Sequence, residues 1–187
     1  YFFDIEKISN KKIKLPNMLP AKKLFEENVK NYNIHSNSQI ILYSNFNLIG
    51  SARVWWMFKY FGFNNVYVLN GGLSKWKKEN KPLTRKKSIN YQSSFNFDVN
   101  QNWLIKKKDI IKNFNKKKFL IIDARNSLRF CGKEQEPRRG LKSGHIPNSK
   151  NIFWKKMINN NNCIINKPKI LKIFLNNNIQ NKKILFT

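Results

Sequence analysis

An α/β protein, built as two similar units of mainly parallel strands flanked by helices, is the fold the sequence predicts, and three observations predict it. Short apolar, β-branched runs alternate with stretches of helical spacing, the order expected of parallel strands joined by crossover helices. The alternation occurs twice, on either side of a polar, irregular segment at 84–101. Finally, 41% apolar and 14% aromatic residues over 187 positions supply enough apolar surface for packed cores.

The first unit opens on Phe2 and Phe3, and LPAKKLFEENVKNYNI (residues 19–34) follows as a helix. SQIILYSN (38–45) is a β-branched run closed by polar residues, which reads as a buried parallel strand. Residues 51–61 place Ala52, Val54, Trp55, Phe58 and Phe61 at helical spacing and end at Gly62, a C-terminal cap. NVYVLNGG (65–72) is a second strand running into a glycine turn, and LSKWKKEN (73–80) is a short helix stopped near Pro82. Residues 84–101, rich in Ser, Asn and Lys, read as a linker between a domain at 1–83 and a domain at 102–187.

In the second unit a helix is expected at 108–115, a strand with a charged end at 119–126 (FLIIDARN), and a short strand at 149–154 (SKNIFW). A helix at 168–176, with Ile170, Leu171, Ile173 and Phe174 on one face, leads to a last strand, KKILFT (182–187). The halves repeat: apolar entry, helix, then ILYS (41–44) in one and ILFT (184–187) in the other. In open α/β sheets the functional groups sit beyond the carboxyl ends of strands, so the loop after Thr187 is where the repeat places the reactive site. The chain is therefore expected to be an internal piece of a longer two-domain protein, with both domains cut.

The formal charge is +27, from 37 Lys and Arg against 10 Asp and Glu. Such an excess suits nucleic acid, because Lys and Arg neutralise phosphates and release counterions. Yet 31 of the cations are lysines scattered in pairs and triplets among neutral asparagine runs such as 159–162. Phosphate binding gives no reason to enrich Asn, so the charge reads as compositional drift on solvated faces, and no nucleic-acid partner is expected. The two cysteines lie far apart, with no CxxC and no histidine at metal spacing. That argues against a disulfide scaffold and against zinc, and it suits a reducing compartment. No apolar run reaches the roughly 20 residues of a membrane span, so no membrane partner is expected either.

Against this lysine background, DARNSLRFCGKEQEPRRGLKSGHIP (123–147) holds four of the six arginines, within fifteen residues. Guanidinium forks clamp carboxylates through charge-assisted bidentate hydrogen bonds that lysine makes less well. The cluster is therefore a candidate anion site, with Arg139 expected in solvent. Asp123 and Arg125, at the end of the FLII strand, form a candidate ion pair at the site or an ordinary strand-end pair. Cys131 is at neither a strand end nor a glycine-rich turn into a helix, so it reads as a plain thiol, as does Cys163 in its Asn-rich loop. His145, framed by Gly144 and Pro147, fixes a turn, and His35 has no partner in view.

FFDIE with MLP, SARVWWMFKYFG with VYVLNGG and the following Trp, and DAR, RF, EPR, GL, SGHIP in succession together resemble the two-domain sulfurtransferases, the rhodanese and 3-mercaptopyruvate sulfurtransferase family. The resemblance implies tandem rhodanese-like domains, each a mainly parallel sheet with flanking helices, the first noncatalytic and the second catalytic. It implies a cysteine thiolate directly after Thr187, which takes a sulfur from 3-mercaptopyruvate or thiosulfate, holds it as a persulfide, and passes it to a thiol, thioredoxin or cyanide. A loop of backbone N–H groups at a helix N-terminus would lower that thiol's pKa.

Arg129 and Arg138 match substrate-binding arginines; Asp123 and Arg125 match supporting ones. Glu6 matches the acid of a proton relay in mercaptopyruvate-type members. Asn17, before MLP, stands where the relay's histidine would be, so this chain departs from that pattern. No cofactor is called for, and a monomer in the cytoplasm, or in mitochondria, is expected. The competing readings are a noncatalytic rhodanese-like binding module, as Asn45 at the equivalent loop of the first repeat suggests, and a basic nucleic-acid-binding protein.

Overall fold

The computed structural model describes the chain except at residues 14, 36, 46, 88, 90–96, 139 and 180–182. Two compact units emerge, Tyr1–Leu104 and Ile105–Thr187.

In the first unit Asp4 caps α1 (Ile5–Ile8), its carboxylate accepting from the N–H groups of Glu6 and Lys7. Helix α2 (Lys22–Val29) tightens into a 3-10 turn, Lys30–Tyr32, and ends where Asn33 turns left-handed at φ 51°. Strand β1 (Ile40–Leu42) leads to α3 (Leu48–Tyr60). That helix begins three residues before the sequence-based start because Asn47 caps it, accepting from the Ile49 N–H at 3.0 Å. Strand β2 (Val66–Val68) pairs in parallel with β1, Ile40 opposite Val66, and α4 (Gly72–Lys78) follows. Gly72, at φ +56°, brings its backbone so near β1 that a Cβ would lie 2.7 Å from the Ser44 carbonyl oxygen.

Apolar positions of α2 and α3 meet in an aromatic core. Phe25 and Phe58 are fully buried, and Phe25 stacks on Phe61 with ring centres 4.0 Å apart. Phe63, Val66 and Phe97 close the cluster. Phe97 lies inside the stretch expected to link the units, and Asn100 donates its N–H to the Tyr60 carbonyl at 2.7 Å, so residues 97–100 pack on the first unit. Residues 88 and 90–96 of that stretch lie outside the described residues.

In the second unit α5 (Lys107–Lys116) ends at Lys117, φ 46°. Asn113 then ties the turn to the strand that follows, donating to the Phe119 carbonyl at 2.9 Å and accepting the Phe119 N–H at 3.1 Å. Strand β3 (Phe119–Asp123) is the centre of a parallel sheet in the order β4-β3-β5, and so its last three residues are buried. Between β3 and β4 lies α6 (Ser127–Phe130), a single turn the apolar pattern did not announce. Strand β4 is only Lys150–Asn151, shorter than the 149–154 read from the sequence, because from Trp154 to Met157 the chain coils into a 3-10 helix. Helix α7 (Lys167–Asn176) starts at an Asn166 cap and returns the chain to β5 (Lys183–Phe186). Ile122, Ile152 and Ile179 form the core here, with Leu120, Met157, Ile173 and Phe174 against them.

Candidate functional site

The carboxyl end of β3 is held from both sides. Thr187 donates to the Ile122 carbonyl at 2.9 Å and accepts from the Ala124 N–H at 3.1 Å, while Ile152 donates to the Asp123 carbonyl at 3.0 Å. The Asn151 amide then bridges the turn, donating to the Asp123 carbonyl at 3.0 Å and the Arg125 carbonyl at 2.7 Å. This fixed turn is what aims the charged side chains.

Asp123 is 2% exposed. A carboxylate at that depth needs a partner, and Arg125 supplies one. The Arg125 backbone N–H reaches Oδ1 of Asp123 at 2.9 Å and its Nε reaches the two carboxylate oxygens at 3.0 and 3.1 Å. Arg125 Nη2 donates to Asp123 and to the Gly144 carbonyl at 2.7 Å, and Nη1 donates to Glu136 Oε1 at 2.5 Å. All three guanidinium nitrogens are thereby engaged.

Asn126 caps α6 by accepting the Arg129 N–H at 2.8 Å, which puts Arg129 one turn from the strand end. Arg129 turns its fork on the same Glu136: Nε donates to Oε1 at 3.2 Å and Nη2 to Oε2. Glu136 therefore bridges two arginines. Two carboxylates and two guanidiniums make a cluster with no net charge, and Glu134, bonded to the Asn126 amide at 2.9 Å, stands beside it.

The ionisation of these groups follows from the contacts. Burial pushes Asp123 up, but the Arg125 hydrogen bonds and charge outweigh it and hold the carboxyl below its ordinary value. Glu136 is likewise held down, by Arg129 first and then Arg125. Arg129 is raised by its hydrogen bond to Glu136, and Arg125 by its hydrogen bond to Asp123.

Beside the cluster opens a shallow pocket of about 340 Å³, lined by Ala124, Arg125, Asn126, Arg129, Phe153, Trp154 and Thr187. It has a cationic wall, an aromatic side and the end of β5 as its rim. An anion could be received here.

Of the residues singled out in the sequence, Asp123, Arg125 and Arg129 come together. Arg138 is exposed, and its side chain has no hydrogen bond or ion pair among the described residues, while Arg139 lies outside them. Glu6, exposed on α1 of the first unit, borders a recess of about 310 Å³ with Ser9 and Asn17. Asn17 is left-handed at φ 58°, its carbonyl accepts from Arg53 at 2.7 Å, and its Oδ1 is buried without a partner. Cys131 is exposed at the C-cap of α6 and Cys163 is buried. His145 contacts the Phe130 carbonyl through Nδ1 at 2.8 Å and stacks on the Phe130 ring at 3.8 Å, as a turn-fixing residue does. His35 contacts the Asn33 side chain at 3.0 Å.

Glu136, Asn126 and Asn151 are what the sequence reading missed. A signal existed for the first: three of only ten acidic residues, Asp123, Glu134 and Glu136, fall in the arginine-rich segment.

Residues 10–79 match the Rhodanese-like domain family. The crystal structure of SseA from Escherichia coli, a 3-mercaptopyruvate sulfotransferase of rhodanese fold, superposes on 99% of this chain and 69% of its own, with a TM-score of 0.87 and 28% identity. The chain is thus an α/β protein of the rhodanese fold. Among its relatives are the 3-mercaptopyruvate sulfurtransferase of Mus musculus, 31% identical over 175 residues, which cover 92% of this chain and 59% of the relative. The mitochondrial thiosulfate/3-mercaptopyruvate sulfurtransferase 1 of Arabidopsis thaliana is 31% identical over 199 residues, covering 92% and 51%. The chain is similar to these sulfurtransferases and spans a little over half of their length.

Proposed function

We propose that the whole protein is a sulfurtransferase taking a sulfane sulfur from 3-mercaptopyruvate, or from thiosulfate, and giving it to a thiol such as thioredoxin or to cyanide. The observation that carries the reading is the arginine-walled pocket where β3 and β5 end, a place for the anionic end of either donor at the carboxyl ends of parallel strands. The nucleophile is proposed as a cysteine directly after Thr187. Its thiolate attacks the donor sulfur. The carbon–sulfur bond of 3-mercaptopyruvate then breaks, its electron pair leaving as the enolate of pyruvate, which takes up a proton; with thiosulfate the sulfur–sulfur bond breaks and sulfite leaves. The acceptor thiolate attacks the outer sulfur of the persulfide and regenerates the cysteine.

In this reading Arg129 binds the donor anion and exposed Arg138 joins it when a carboxylate enters. Asp123 and Arg125 position the turn, and Glu6 is the supporting acid of a proton relay. Asn17 cannot pass a proton as a histidine would, so donor protonation runs through another group or the preference moves toward thiosulfate, whose leaving group needs no carbon protonation. The first domain, whose described part extends to Leu104, is noncatalytic and the second, from Ile105 on, catalytic, the two forming a tandem repeat. No cofactor takes part. The protein works as a monomer in the reducing cytoplasm or in mitochondria, where the Arabidopsis relative is named. Reading the codons after Thr187 and assaying thiocyanate formation by the full-length protein tests this: without a cysteine there, or without turnover on both donors, a noncatalytic module is what remains.

A further inference from the structure

Arg129 presents to Glu136 the edge, Nε with Nη2, by which an arginine ordinarily takes a carboxylate in two parallel hydrogen bonds. The group expected to bind the donor is thus already satisfied from within. Glu136 also holds Arg125 Nη1, which bonds no other group among the described residues, whereas the rest of Arg125 is fixed on Asp123 and Gly144. Asp123 is nearly buried and fully committed, so its charge cannot be withdrawn. Glu136 lies on the segment between α6 and β4, which is irregular at the described residues 133–138 and 140–149, and among the described residues its backbone is tied to neither strand.

We propose that Glu136 is an internal competitor for the anion site: its carboxylate occupies the Arg129 fork in the free protein and must leave it for the donor anion to bind, so Glu136 sets the donor affinity. The inference rests on the sulfurtransferase reading for the identity of the donor. The charge arithmetic supports the competition. With Glu136 in place Asp123, Arg125, Glu136 and Arg129 sum to zero, and an approaching anion gains no net attraction from them. With Glu136 withdrawn the four sum to one positive charge, facing a pocket that an anion enters, while Glu134 beside them is bonded to the Asn126 amide and to neither guanidinium fork. The competitor also excludes anions too weak or too poorly shaped to replace a two-pronged carboxylate, which gives selectivity among donors.

Glu136→Gln in the full-length protein tests this. Gln keeps an oxygen for Arg125 Nη1 but not the charge that holds the Arg129 fork. Calorimetric titration with pyruvate and with thiosulfate should show either anion binding about ten-fold tighter in the variant, the scale of one charge-assisted contact no longer displaced. KM for the donor should fall with it and kcat should change little. Unchanged or weaker anion binding by a folded variant would overturn the proposal, since a merely structural Glu136 would misplace Arg129 when altered. Should the variant not fold, a crystal structure of the wild-type protein with bound pyruvate decides: Glu136 moved off Arg129 supports the competition, and Glu136 still on Arg129 sinks it. The binding arm needs no turnover. A protein that binds pyruvate more tightly as E136Q yet transfers no sulfur refutes the sulfurtransferase reading and leaves the competition standing.

Discussion

Arg125 and Arg129 lie four residues apart on one short turn, yet the structure gives them different duties. Every nitrogen of the Arg125 guanidinium is spent on protein acceptors, so it positions; Arg129, paired with Glu136 alone, borders the pocket and can be released. Arg129→Ala in the full-length protein should raise the donor KM strongly and lower kcat/KM by about 2 to 4 kcal/mol, a desolvated charge contact being lost. Steady-state kinetics with both donors checks it, and an unchanged KM would take Arg129 out of the site.

Asp123 answers to a different measurement. Asp123→Asn takes one of the two carboxylates from Arg125, which keeps Glu136 and the Gly144 carbonyl, so it should destabilise the second unit by about 1 to 3 kcal/mol at neutral pH. The pH dependence has a definite sign. Asp123 and Glu136 have folded pKa values below those of the unfolded chain, near 4, so their stabilisation is complete above about pH 5 and is lost as pH falls through the depressed values. Chemical denaturation of wild type and variant should therefore converge as the solution is acidified below about pH 4. A gap independent of pH would show that the charge of Asp123 is not what stabilises.

At the scale of elements, the first unit depends on α3. Its buried stripe, Val54, Met57 and Phe58, meets Phe25 of α2, and Phe58 packs edge-on to Phe25 with ring centres 5.2 Å apart. The one buried polar group described on that face, Ser51, is satisfied within the helix by donating to the Leu48 carbonyl, so the helix is held by shape and apolar area. Phe58→Ala should cost about 3 to 5 kcal/mol, seen as a lower denaturation midpoint with the slope unchanged. The spacing of Val54, Phe58 and Phe61 announced this helix, because a long buried face imposes its period on the sequence. α6 gave no such notice. Four residues cannot show a period, and what makes the turn is the Asn126 cap, a polar signal easily read as loop. β4 shrank for the converse reason: apolar Ile152 and half-buried Phe153 continue past the strand, Ile152 with a last hydrogen bond to the Asp123 carbonyl and a place in the core.

For the whole molecule, the positive charge does not organise the fold. The described lysines are nearly all exposed; Lys59, Lys75 and Lys150 are half-buried, and Lys59 and Lys150 spend their ammonium groups on backbone carbonyls. The thiols divide in the same plain manner, Cys131 exposed at a helix end and Cys163 buried. Cys131→Ser should leave the activity of the full-length protein unchanged within error. Treated with either donor, the 187-residue chain should gain no persulfide on Cys131 or Cys163 by mass spectrometry of the intact protein. A persulfide on Cys131 would move the nucleophile to α6 and overturn the assignment to the loop after β5.

The sequence by itself determined the α/β class, the parallel strands, the long helices and the presence of an arginine-rich segment at a strand end, because burial imposes a period and an anomalous run of Arg stands out against a lysine background. Only the tertiary structure decided which of those arginines are free. Asp123 and Arg125 are neighbours in sequence and their pairing could be guessed, but Glu136 reaches Arg125 and Arg129 across eleven and seven residues through an irregular segment. No local pattern encodes such a contact. It depends on where the chain returns after α6, and that return is set by the packing of the whole second unit.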